Sequence, residues 1–429
     1  MNPELQKELT QFPDYFFEKT EATEVAPRPT PFTFSLLEKI YAQNGPVAQA
    51  YKKFKITYVD TAFLVNLLGQ LYVDREKELA SLFPAMSYGK TDITPKIVRL
   101  KGALTTTKNM AAFARNFSTE EAITELSKAL NGPEVNMSFA DALEHFLNEY
   151  QIIFEINFLA AASFKKLETV LPKNNLSYVD ILSVPEAYFG KTSTSFKKPE
   201  SVLGNSLEIS DEKPFTASTP ALQAPKNVES WWSATPEISQ KVLLPLIQNA
   251  LRLQAAREAG RWLMVKNMNT LRRALASKED YFATIDEILG GATKQEILSE
   301  RKRRYAEDLA RPEFPALLRS GQPLAEKNTS IKVLSPGDFS GELVDKDEKL
   351  PKQHDIVLLI DALSPNFVEK LPYIQGIISK SGGVLSHLAI VAREKGIPVI
   401  ICDPKSYGLE KGKNVRVVTA SGATTITLQ

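Results

Sequence analysis

Apolar residues recur at helical spacing over most of residues 31–171. LLEKIYAQNGPVAQAYKKF predicts a helix, a turn at Asn44-Gly45-Pro46 and a second helix. FADALEHFLNEYQIIFEINFLAAASFKKLETVL predicts one long helix that ends before Pro172. Ser138 stands at its N-cap, and Asp141 takes the N3 position, where an acid suits the helix dipole. Helical spacing returns over 238–276, and a further helix is expected over 294–309. Between these blocks, residues 187–232 accumulate Ser, Thr, Pro and Lys with little periodicity. That texture predicts a long irregular loop or a subdomain boundary.

The pattern then changes. RSGQPLAEKNTS, residues 319–330, is polar and carries both Gly and Pro, as an interdomain linker does. Beyond it IKVL, DIVLLID, GIIS, PVIIC, NVRVV and TTITL predict short strands alternating with turns and short helices. The expected fold is an α-helical N-terminal domain over 1–318 followed by a small α/β domain over 331–429. Fully extended, the linker spans about 40 Å at roughly 3.3 Å per residue, enough for a domain-scale swing. Neither an internal repeat nor a coiled-coil heptad pattern is evident.

Composition narrows the function classes. Of the 429 residues, 43% are hydrophobic and 24% charged, the proportions of an ordinary globular protein. Lys plus Arg number 52 against 51 Asp plus Glu, so no basic footprint for nucleic acid is expected. The single cysteine, Cys402, rules out an intrachain disulfide and argues for a reducing compartment. With three histidines, the chain has few soft ligands, and no metal site is expected. The start, MNPELQKELTQF, lacks a basic region followed by an apolar stretch, and residues 62–68 fall well short of a membrane span. A cytoplasmic protein with no membrane contact is expected.

The candidate chemistry lies in SGGVLSHLAIVAREKGIPV, residues 381–399. A strand meets a glycine turn, a helix opens near Ser386, and Gly396 with Pro398 ends it. His387 falls in the first helical turn, where unpartnered backbone N–H groups and the dipole favour an anion by roughly 0.3–1 kcal/mol. Position alone leaves His387 open to being a structural imidazole, a metal ligand or a phosphoryl acceptor. No second ligand stands at helical spacing, and adjacent Ser386 does not face it as a nucleophile partner would.

The stretch GGVLSHLAIVAREKGIP resembles the phosphohistidine motif of the swivelling domain of phosphoenolpyruvate-utilising enzymes. Gly382, Gly383, Ser386, His387, Ala389, Ile390, Val391, Ala392, Arg393, Glu394, Gly396, Ile397 and Pro398 carry the resemblance. Ser335-Pro336-Gly337, Gly341 and Ser364-Pro365 extend it. By this resemblance His387 is the residue that becomes phosphorylated, supported by Gly382, Gly383, Ser386, Ser379 and Arg393. Ser379 stands where a threonine is usual, and the glycine usual at Ile401-Cys402 is missing. EKTEATEVAPRPTPFTFSLLEKIY, GPVAQAYKKF, GQLYVDREKEL, LQAAREAGRWLMVKNMNTLRRAL and EDYFATIDEI are similar to the helical region of rifampin phosphotransferase and phosphoenolpyruvate synthase-like proteins.

Two departures shape the expected function. Relatives of this type carry a Gly-His-Arg segment with a downstream acid; here Gly204-Asn205-Ser206 with Glu208 is the nearest candidate. Neither an ATP-grasp nucleotide domain nor the barrel that binds phosphoenolpyruvate is expected in the chain. The resemblance therefore implies a phosphotransferase component without a directly bound cofactor. ATP and Mg would sit on an ATP-grasp partner that loads His387 in trans, an arrangement similar to phenylphosphate synthase. A small-molecule acceptor is expected between helices of the N-terminal domain. Its candidate contacts are Arg257, Glu258 and Arg261, which lie at i, i+1 and i+4, with Trp231, Trp232, Trp262, Phe32 and Phe34 as aromatic candidates. The alternative class is a non-catalytic regulatory or scaffold protein that retains the fold, which the altered Gly-His-Arg segment would fit.

Overall fold

The computed structural model describes residues 3–20, 23, 25–84, 105, 108, 119–132, 136–172, 176–182, 184, 188–190, 196, 226–291, 294–312, 314–321, 331–345, 355–363, 365–382, 387–420 and 423–428. Backbone proximity divides the chain into two units. Unit 1 is Met1–Ala160, Asn205–Asp211 and Ala255–Leu324; unit 2 is Ala161–Gly204, Glu212–Gln254 and Ala325–Gln429. One boundary, between Leu324 and Ala325, falls inside 319–330, and two others pass through the long helices described below.

In unit 1 the turn expected at Asn44-Gly45-Pro46 separates helix α1 (Pro31–Tyr41) from helix α2 (Pro46–Lys53). Thr30 caps α1 by accepting from the Thr33 N–H, and Pro31 and Pro46 each sit where a helix start tolerates a missing donor. Helix α3 (Phe139–Val170) runs 32 residues, and the Ser138 hydroxyl accepts from the Asp141 N–H at 3.2 Å. Helix α4 (Glu237–Arg273) is longer still, at 37 residues, with Pro245 inside it. Helix α5 (Ile285–Gly290) opens on a capping box formed by Thr284 and Glu287.

Unit 1 also holds a four-stranded antiparallel sheet that the helical reading of 31–171 did not anticipate. Its strands are β1 (Phe16–Glu18), β2 (Leu64–Leu67), β3 (Gln70–Asp74) and β4 (Leu317–Arg319), in the order β2-β3-β1-β4. β2 and β3 form a hairpin whose two turn residues, Leu68 and Gly69, both have positive φ, +47° and +80°. That left-handed pair matches the twist of the flanking strands. β4 takes in Arg319, and the Ser320 N–H donates to the Tyr15 carbonyl at 2.8 Å, so the start of the polar segment is tied into this sheet.

The C-terminal part of unit 2 is built on a seven-stranded sheet, in which all six predicted strand runs are found. The strands are β5 (Lys332–Ser335), β6 (Phe339–Asp345), β7 (Ile356–Ala362), β8 (Gly376–Ser381), β9 (Val399–Ile401), β10 (Asn414–Ala420) and β11 (Ala423–Leu428). Their order is β11-β10-β6-β7-β8-β9-β5. β6 through β9 run parallel, while β5, β10 and β11 are antiparallel to their neighbours. Alternation along the strands makes two cores. Ile356, Leu358, Ile360, Ile377 and Val399 line one face under helix α6 (His387–Glu394), and Val357, Ile378, Ile400, Val415 and Val417 line the other. Among the described residues, no helix is long and apolar enough to cross a membrane.

Candidate functional site

The site forms where the parallel strands end, the edge at which open α/β sheets bind ligands. β8 ends at Ser381, Gly382 follows, and α6 opens on His387. Gly382 has φ +143°, and a Cβ there would come within 2.6 Å of Leu363 Cδ1, just past β7. The positive φ favours glycine at this position, and the Leu363 side chain fills the space where a Cβ would stand. Gly383 and Ser386 lie outside the described residues. So does the His387 side chain, whose backbone is placed as the first residue of α6.

The apolar spacing of the motif explains how the helix is held. Leu388, Ala389 and Ala392 are fully buried against β7, β8 and β9. Gly396, at φ +68°, ends the helix, and the Ile397 N–H donates back to the Ala392 carbonyl at 2.8 Å, the closure of a Schellman motif. Pro398 then packs on Gly337, where a Cβ would stand 2.6 Å from its Cγ. Gly341 is required in the same way, since a Cβ would meet the Asp355 carbonyl oxygen at 2.4 Å.

Two of the residues expected to support His387 have defined places. Ser379 is fully buried in β8 and shares the α6 face with Ile377, two residues before it. The Arg393 guanidinium donates to the Leu334 carbonyl through Nη2 at 2.8 Å and Nε at 3.3 Å. Arg393 thereby ties the last turn of α6 to β5, about 9 Å along the helix axis from His387 at 1.5 Å per residue. Cys402, at the end of β9, is buried, and burial followed by the neighbouring Asp403 pushes its thiol up to about 12.

The candidate acceptor contacts are all half-buried on α4 in unit 1. Arg257 Nε donates to Asn157 Oδ1 of α3 at 3.2 Å, and Arg261 Nη1 lies 3.7 Å from Glu258 Oε2. The aromatic candidates have separate settings. Phe32 is core, with its ring centroid 5.9 Å from that of Tyr281 and 6.3 Å from that of Phe139. Trp231 and Trp232, in the helix Lys226–Ala234 of unit 2, pair at 5.5 Å, and Trp232 meets Phe189 edge-on at 5.0 Å. Phe34 and Trp262 are half-buried. Gly204, Asn205, Ser206 and Glu208 fall outside the described residues, as does Ser364. Among the described residues, no group of three or more His, Cys, Asp or Glu side chains is arranged to hold a metal ion.

Comparison with known proteins bears on the same segment. Residues 352–422, which include His387, match the family model of the PEP-utilising enzyme, mobile domain. A stretch of 144 residues is 27% identical to pyruvate, phosphate dikinase of Clostridium symbiosum, covering 32% of this chain and 16% of that enzyme. In PEP-utilising enzymes the mobile domain is the one that carries the phosphohistidine. The β7–β8–α6 unit thus lies in a segment that matches this mobile domain.

Proposed function

We propose that the chain is a phosphocarrier component of a phosphotransferase. His387 accepts a phosphoryl group from an ATP-grasp protein in trans, with ATP and Mg bound on that partner. It then passes the group to a small acceptor bound by the helical part. The observation that carries this reading is the position of His387 within 352–422. It opens α6 five residues after Gly382, which follows the carboxyl end of parallel strand β8. The first-turn N–H groups of a helix favour the phosphoryl oxygens, and a glycine turn admits them to the backbone. Gly382 and Gly383 shape the turn in this reading, Ser386 precedes the carrier, Ser379 supports it from β8, and Arg393 holds the helix. Transfer is an in-line displacement in which the protein positions the groups and stabilises charge. In the expected linker, 319–330, the residues beyond Ser320 supply reach between the loading and delivery positions, the C-terminal domain acting as a swivelling unit.

The carrier role is testable without the partner. Phosphoramidate gives its phosphoryl group to an imidazole nitrogen and releases ammonia. Treated full chain is expected to gain acid-labile phosphate at His387 at least tenfold faster than at the half-exposed His145, as mapped by mass spectrometry. His387→Ala removes the fast phase. Equal rates at the two histidines would overturn the reading in favour of a non-catalytic protein that retains the fold.

A further inference from the structure

The turn that separates α1 from α2 builds a cleft that sequence periodicity does not reveal. A cavity of about 290 Å³ lies in unit 1 between this turn, the first turns of α3 and Leu289 of α5. That is room for about ten water molecules at ~30 Å³ each, at the small end of ligand sites. Its wall has a set shape at the turn. A Cβ on Gly45 would stand 2.3 Å from the Lys39 carbonyl oxygen and 2.6 Å from that of Ile40, so only glycine lets the chain turn there. The Gly45 N–H donates to the Ala42 carbonyl at 2.8 Å, closing the turn.

The lining has a chemical bias. Asn44, Gln49, Asn148 and Gln151 bring carboxamides, Glu144 brings a carboxylate, and no basic side chain lines the cavity among the described residues. Gln151 Nε2 already donates one N–H to Glu155 Oε1 at 2.9 Å, which leaves its second N–H and its carbonyl oxygen for a ligand. Most of the wall is apolar, from Pro46, Ala140, Leu143, Leu147 and Leu289, while the carboxamides both donate and accept and Glu144 only accepts. An anion finds no counter-charge here, whereas an amine does at Glu144. Hydroxyls, which both donate and accept, match the carboxamides while the ligand's C–H face lies on the apolar wall.

We infer that this cleft binds a small hydroxylated amine of about monosaccharide size, with the ammonium toward Glu144. As the acceptor site this rests on the phosphohistidine reading. A ligand hydroxyl oxygen would bond to phosphorus as the His387 N–P bond breaks, and the hydroxyl proton would pass to the released imidazole. Binding itself does not depend on that step, so calorimetry on the unphosphorylated full chain separates the two ideas. Glucosamine, glucose and gluconate are the probes. Glucosamine is expected to bind saturably, one per chain and at least tenfold more tightly than glucose, and gluconate not at all. Glu144 and Asn148 are exposed, so substitutions there leave the melting temperature unchanged. Glu144→Gln should bring glucosamine to the level of glucose, and Asn148→Trp, which fills the cleft, should abolish binding of both. The inference is overturned if glucosamine gives no saturable heat, if its preference survives Glu144→Gln, or if Asn148→Trp binds as wild type does.

Discussion

At Cys402 the chemistry of a residue is set by its surroundings. The lone thiol is exposed by only 1%, and burial raises its pKa to about 12, so at neutral pH almost none of it is the reactive thiolate. Native protein at pH 8 is expected to resist an aromatic disulfide reagent for hours, and to release one equivalent of chromophore per chain on unfolding in guanidinium. Rapid labelling of native protein would contradict the burial. Cysteine count was legible in the sequence, but not this inertness, since Ile401 and Cys402 are neighbours in sequence that pack into the two different cores of the sheet. Arg393 makes the same point. Its motif position was readable, whereas its partner, the Leu334 carbonyl, lies 59 residues upstream.

At the scale of an element, the β2–β3 hairpin depends on Gly69. Its φ of +80° suits glycine, and a Cβ there would stand 2.4 Å from Asp308 Cβ. Gly69→Ala should therefore cost about 1–3 kcal/mol, from a left-handed backbone conformation that alanine tolerates poorly and from the displaced Asp308. Urea denaturation followed by circular dichroism measures it. A loss under 0.5 kcal/mol would mean the turn relaxes freely, by the ordinary scale of surface changes. This hairpin was read as part of a helical block for a physical reason. β3 has four buried residues in succession, and a short run buried on both faces carries no period of two. Its turn is Leu-Gly, not the Asn-Gly that announces a hairpin. β6 escaped notice likewise, because Gly341 interrupts FSGELVD; that glycine is there to let the Asp355 carbonyl approach. The long helices and their caps were legible, since capping and apolar spacing act within a few residues.

At the scale of the molecule, the proposed function makes His387 a carrier that a separate protein loads. With labelled ATP and Mg alone, the full chain is expected to stay unlabelled. Adding an ATP-grasp protein encoded beside it should give acid-labile label on wild type and none on His387→Ala. Label from ATP alone would mean that the chain loads itself. The division into units cuts α3 after Ala160, in its second half, and α4 at its middle, a feature that no break in helical spacing announces.

By itself, the sequence determined what is local. The run from Ser381 to Val399 holds the glycine pair, the helix start, His387 and the helix stop within nineteen consecutive residues, so the motif could be read directly. Tertiary structure alone decided what distant segments make together. The strand order β11-β10-β6-β7-β8-β9-β5 and the cleft joining residues 44–49, 140–151 and 289 are of this kind. The reason is physical. Periodicity records which side of an element avoids water, but not which other element covers it. That choice is made by shape, by glycines such as Gly45 and Gly382 that permit one close approach, and by hydrogen bonds across long stretches of chain.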